Sequence, residues 1–122
     1  MKNTIVVDTS AVLAVLLGES QKRRLESLTQ GADLSAPASL KWELGNALSA
    51  MFKRRMISLQ DSERVLDVFH EIPIHFVEID IASSLKICHE YGLYAYDAYM
   101  IVCAQKHGAP FVVKRTQTMR SL

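Results

Sequence analysis

The feature that most constrains this chain is a repeated change in its hydrophobic period. Short apolar runs rich in β-branched residues, "TIVVD" at 4–8, "IHFVEID" at 74–80 and "APFVVK" at 109–114, alternate with longer stretches whose apolar residues recur every three or four positions. A short apolar run reads as a strand, and a 3.6-residue period reads as a helix with one buried face. Strands alternating with helices fold most economically as a parallel sheet covered by helices.

The helical stretches carry their own punctuation. "SAVLAVLLG" follows the first strand directly and meets Gly18, a helix stop. A second helix is expected over 20–31, with Leu25 and Leu28 on one side and Gly31 past its end. "DLSAP" holds a very short strand, and Pro37 suits the first turn of a helix. The clearest amphipathic pattern follows: Leu40, Leu44, Ala47, Leu48, Met51 and Phe52, ending in the basic run 53–55. Another helix is expected over 58–72, with Val65, Leu66 and Phe69 inward and a Ser58/Asp61 capping signal. Two more, over 81–92 and 96–108, stop at Gly92 and Gly108. No internal repeat or linker interrupts the 122 residues, which fit one domain.

Composition excludes several classes. The chain is 49% hydrophobic, too apolar for intrinsic disorder, yet no apolar run reaches the roughly 18 residues of a membrane span. With no leader pattern and only Cys88 and Cys103, a reducing cytoplasm is the expected compartment. The net charge of +1 does not advertise a nucleic-acid binder, but the charge is unevenly spread. Residues 61–96 are acidic, whereas basic clusters stand at 22–24, at 53–55 and at Lys114, Arg115 and Arg120. Such clusters serve as phosphate contacts or as solvated helix faces.

Three acids stand at the edges of apolar stretches. Asp8 ends the first strand, and in an open α/β sheet ligands bind outside the carboxyl ends of the strands. Glu43 lies between Leu40 and Leu44 on the amphipathic helix, and Asp97 follows Tyr94 and precedes Ile101 at matching spacing. Both are expected near a helix start on the inward side. Each acid also suits a plain structural role, as an N-cap or a first-turn acid. Gathered together they would repel one another unless a divalent cation intervened, and hard carboxylate oxygens suit Mg2+ or Mn2+. A water on such an ion is a nucleophile for phosphodiester hydrolysis. Ser10, two residues after Asp8, can hydrogen-bond an acid or that water.

Three segments, "VVDTSAVLAVLLGE", "APASLKWELGNAL" and "YGLYAYDAYMIVCAQKHGAPFVV", together resemble the PIN domain family, and more narrowly the VapC-type toxins of toxin–antitoxin pairs. The resemblance covers nearly the whole chain. It implies a three-layer α/β sandwich around a central parallel sheet, a Mg2+- or Mn2+-dependent endoribonuclease, a homodimer, and inhibition by a small antitoxin. Because sequence-selective RNA recognition favours accessible loops and single strands, the expected substrate is a structured RNA presenting a loop. The family's acids fall on Asp8, Glu43 and Asp97, as metal ligands and catalytic residues, and its small hydroxyl residue falls on Ser10. The pattern departs at the family's fourth acid: Arg115 stands where Asp is expected, and the usual C-terminal helix and short strand of the family are expected to be missing from residues 1–122. An arginine cannot ligate a cation, so Arg115, with Lys114, is a candidate grip on an RNA phosphate. A degenerate PIN domain that binds antitoxin or RNA without cleaving it is the alternative.

Other constellations are weaker. Cys88, His89, Cys103 and His107 suit zinc by type, without a recognised ligand spacing. An aspartyl phosphotransferase wants a second acid where Ser10 stands. Trp42 neighbours Glu43 but lies about 100° around the helix, where it faces a groove, a partner or simple packing. Val12, Leu13, Val15, Leu16 and Leu17 are more apolar residues than one sheet face can bury, which points either to a partner or to a fully enclosed core around them.

Overall fold

The computed structural model describes residues 3–18, 23, 27, 30–108, 111–112 and 119–120. Among them the order is β1 (Thr4–Val7), α1 (Thr9–Leu16), β2 (Asp33–Pro37), α2 (Leu40–Lys53), α3 (Leu59–Glu71), β3 (Ile74–Val77), α4 (Ile81–Tyr91), α5 (Ala95–His107), β4 (Phe111–Val112) and β5 (Met119–Arg120). The sheet runs β3-β2-β1-β4-β5, with the first four strands parallel and β5 antiparallel to β4. The expected parallel α/β architecture is therefore present. The helix expected over 20–31 lies mostly outside the described residues, although Arg23 and Ser27 have helical backbone. Lys114 and Arg115 also lie outside them.

Strand alternation divides the core in two. Ile5 is in register with Leu34, and Leu34 with Ile74, so one row of aliphatic side chains crosses the sheet. Val7, Ala36 and Phe76 extend that face, which packs on Leu40, Leu44 and Leu48 of α2, on Val65 and Phe69 of α3, and on Ala11, Val12 and Ala14 of α1. Leu40, Leu44 and Leu48 recur every four residues, which puts them on one side of α2, and all three are buried. Each contributes about 1.5–3 kcal/mol by its removal from water. The opposite face is set by the alternate positions. Val6 and Val77 pack there on Met100, Cys103 and Ala104 of α5, and α4 packs on α5. Burial pushes the Cys103 thiol up to about 11. The result is three layers: α1, α2 and α3, then the sheet, then α5 with α4.

Two strands are shorter than their apolar runs suggest. The run at 74–80 stops pairing at Val77, because Asp80 caps α4 by accepting from the Ser83 N–H at 2.9 Å. Pro37 ends β2 rather than opening the next helix. Its fixed φ suits extended backbone, and the chain regains a ladder bond one residue later, where the Ala38 N–H donates to the Val77 carbonyl at 2.8 Å. Leu66 is more exposed than its periodicity suggested, so α3 is held by Val65 and Phe69. Gly92 and Gly108 close α4 and α5 at φ of 67° and 59°, the left-handed conformation in which glycine carries no Cβ penalty. No helix among the described residues is long and apolar enough to cross a membrane.

Candidate functional site

Asp8 leaves β1 in extended conformation and caps α1, accepting from the Ala11 N–H at 2.8 Å. The strand-end position and the cap thus belong to one residue. Asp8 is half-buried, and the next residue, Thr9, reaches across to α2, where its hydroxyl donates to Glu43 Oε1 at 3.2 Å. The Ser39 hydroxyl donates to Glu43 Oε2 at 2.8 Å. Both oxygens of Glu43 are therefore fixed by neutral donors, which leaves lone pairs on each for a further partner.

The electrostatics connect the third acid. The Glu43 carboxyl is pushed above its ordinary value, first by burial and also by the negative charge of Asp97, although the Ser39 and Thr9 hydrogen bonds pull it back down. Asp97 sits in the first turn of α5. Contrary to the expectation of an inward side chain, it is exposed, because the buried stripe of α5 runs through Ala98 and Met100 instead. Glu43 is thus the hub: it is tied to Asp8 through the adjacent Thr9 and to Asp97 through charge. Ser10 is exposed on the first turn of α1.

Thr9 and Ser39 were not singled out from the sequence. The signal for Ser39 was its position four residues before Glu43, the spacing at which two helical side chains meet. Ser39 is the N-cap residue of α2, yet its hydroxyl makes no capping bond and its backbone is already helical, at φ −65° and ψ −15°. The hydroxyl is directed to the acid instead.

The donor set is all oxygen, which suits a hard divalent cation that keeps part of its water shell and takes one or two carboxylates from protein. It does not form a closed cage: among the described residues, no three His, Cys, Asp or Glu side chains are grouped tightly enough to hold a metal ion by themselves. The same observation disposes of a zinc cluster at Cys88, His89, Cys103 and His107. Cys103 is buried with a thiol that resists ionisation, and His107 meets His75 edge-on at 6.5 Å.

The fold is a three-layer α/β domain with Asp8 at the exit of β1 and Glu43 and Asp97 in the first turns of α2 and α5. The PIN domain family matches residues 5–116, and the chain belongs to that family, whose members are generally nucleases that use divalent metals. No curated protein sequence matches significantly. Among solved structures, the chain is similar to PAE2754 from Pyrobaculum aerophilum, with 21% identity and a TM-score of 0.68 over 95% of this chain and 76% of that one. It is also similar to a toxin–antitoxin complex from Klebsiella pneumoniae, with 19% identity and a TM-score of 0.57 over 93% of this chain and 88% of that one.

Proposed function

We propose that this chain is a Mg2+- or Mn2+-dependent endoribonuclease, the VapC-type toxin of a toxin–antitoxin pair. The observation that carries the reading is Glu43: a half-buried carboxylate, fixed at both oxygens, raised in pKa by burial and by Asp97, and one residue's reach from Asp8. A structural acid would be stabilised by its surroundings, whereas this one is kept in place at an electrostatic cost that a bound cation offsets.

In this reading Glu43, with Asp8 and Asp97 beside it, would hold the ion together with several retained waters, since the three carboxylates do not close a cage by themselves. The chemistry it supplies when bound is an activated water for hydrolysis of a phosphodiester and neutralisation of the charge that develops there. Thr9 and Ser39 orient Glu43, and the Asp8 cap holds its carboxylate to the start of α1. Ser10, exposed at the same helix start, is the proposed donor to substrate or water. Lys114 and Arg115 are the proposed phosphate contacts.

The partner follows from a second surface. A groove of about 460 Å³ between α1, α2 and α3 is lined by apolar side chains, Leu16, Leu17, Met51 and Val65 among them, and by the charged pair Asp61 and Arg64. Of the apolar residues the sequence marked as surplus, Leu16 and Leu17 line it, whereas Val12 is buried in the core and Leu13 and Val15 pack against that core. With a toxin–antitoxin complex among the structural neighbours, we assign the groove to an antitoxin segment, in a cytoplasmic homodimer. The test is cleavage of a mixed RNA pool by the purified chain, with and without Mn2+. The wild type is expected to cut only with the ion, and Asp8→Asn to lose at least about 100-fold, since Asn keeps the cap but not the charge. Equal cutting by both would reject the site.

The open donor set favours a second reading, a PIN domain that binds antitoxin or RNA without cleaving it. Absence of Mn2+ binding by calorimetry, in a chain that still captures an antitoxin, would establish it.

A further inference from the structure

Trp42 lies one residue before Glu43 and is 74% exposed, an unusual placement for the largest apolar side chain. It is not isolated. Trp42 and Tyr99 line a groove of about 450 Å³ together with Lys41, Glu78, Ile81 and Ser39. Tyr99 in turn meets Tyr96, with ring centroids 5.8 Å apart, and Tyr96 immediately precedes Asp97. Ser39 belongs to both places: it lines the groove, and its hydroxyl holds Glu43. A series of aromatic rings therefore leads from the groove to the edge of the acid site.

The chemistry of the groove selects its occupant. One cation, Lys41, and one anion, Glu78, leave it with little net charge, so it is a poor phosphate clamp and a good surface for a flat aromatic ring. The Lys41 ammonium is held over the Phe76 ring, 4.5 Å from its centroid. The volume falls in the range of small-ligand sites, about 300–1,000 Å³, and fits a base rather than a duplex. Bases are read by stacking only when they are unpaired and splayed from the strand.

We infer that this groove receives an unpaired nucleobase of the RNA next to the bond being cut, stacked on Trp42 and Tyr99. The inference rests on the nuclease reading of the adjoining acids. It makes Trp42 a substrate-positioning residue for that base.

Trp42 is the only tryptophan in the chain, so its fluorescence reports this groove alone. In the Asp8→Asn background with Mg2+, where RNA stays intact, short single-stranded RNA of random sequence is expected to quench that emission saturably, and an RNA duplex is not. Trp42→Ala and Trp42→Leu, read by anisotropy of labelled RNA, are expected to weaken binding about 5- to 150-fold, whereas Trp42→Phe retains most of it. Tight binding with unchanged emission, or undiminished affinity in Trp42→Ala, would overturn the inference. So would a change from dimer to monomer in Trp42→Ala with RNA affinity unaffected, which would make the groove a protein–protein surface. If wild type cleaves RNA while Trp42 stays silent, the nuclease reading stands and this inference falls. If the chain neither binds nor cleaves RNA, the nuclease reading falls first and takes the inference with it.

Discussion

The starts of α2 and α3 each pair a serine with a first-turn acid, Ser39 with Glu43 and Ser58 with Asp61, in opposite arrangements. At α3, Ser58 accepts from the Asp61 N–H at 3.1 Å, and the Asp61 carboxylate accepts from the Ser58 N–H at 3.3 Å, a reciprocal capping box. Those bonds hold the Asp61 carboxyl below its ordinary range. At α2, Ser39 leaves the helix without a side-chain cap and donates to Glu43, whose carboxyl is raised. A serine and a first-turn acid thus stabilise one helix, while at the other they hold an acid in surroundings that resist its charge. The spacing decides which: three residues apart, the pair closes on the backbone, and four apart, the side chains close on each other. The departure from the favoured capping arrangement falls where the proposed chemistry is.

Removing each serine hydroxyl sharpens the contrast. Ser39→Ala is expected to lower Mn2+ affinity and RNA cleavage about 10- to 100-fold, the usual effect of losing a group that orients a metal ligand, with little change in Tm. Calorimetric Mn2+ titration beside a thermal melt would check both halves. Ser58→Ala should do the reverse, costing about 1 kcal/mol and roughly 4 °C in Tm while cleavage per folded molecule is unchanged. Equal behaviour of the two variants would erase the distinction.

The smallest expected effect is on stability against pH in metal-free protein. Because the Glu43 carboxyl is raised on folding, the folded chain binds that proton more tightly than the unfolded chain. Stability contributed at this position is therefore greatest at low pH and falls as pH rises from the ordinary carboxylate range through the raised value. Glu43→Gln removes the titration and should stabilise the chain near neutrality, with the gain vanishing in acid. Thermal melts of both proteins across pH in a chelating buffer would show whether the difference has that sign.

Much of the fold was legible because its signals are local. The leucine repeat of α2, the Ser58/Asp61 cap and the glycines that close α4 and α5 each act within a few residues, and each appears where the sequence placed it. Strand ends were less legible. An apolar run such as 74–80 does not show that Asp80 will turn to cap a helix, and Pro37 suits either a strand end or a first turn. At the site, strand-end position and resemblance drew attention to Asp8, Glu43 and Asp97. The hydroxyls that hold Glu43 were missed, because Thr9 and Glu43 are 34 residues apart and meet only through the packing of α1 beside α2. Asp97 was expected to turn inward, since a single period cannot say which of two nearby stripes a sheet will cover.

The two-sided burial of the sheet has a consequence for how such a site tolerates change. Ile5 and Val7 fill one layer and Val6 the other, so a one-residue slip of β1 would send bulky side chains toward the small residues of α5 and leave voids over α2. Asp8, the residue at the exit of that strand, is thereby indexed by the interior rather than by the length of any connection. Insertions and deletions in the joining segments can accumulate over evolution while the strand-end carboxylate keeps its address.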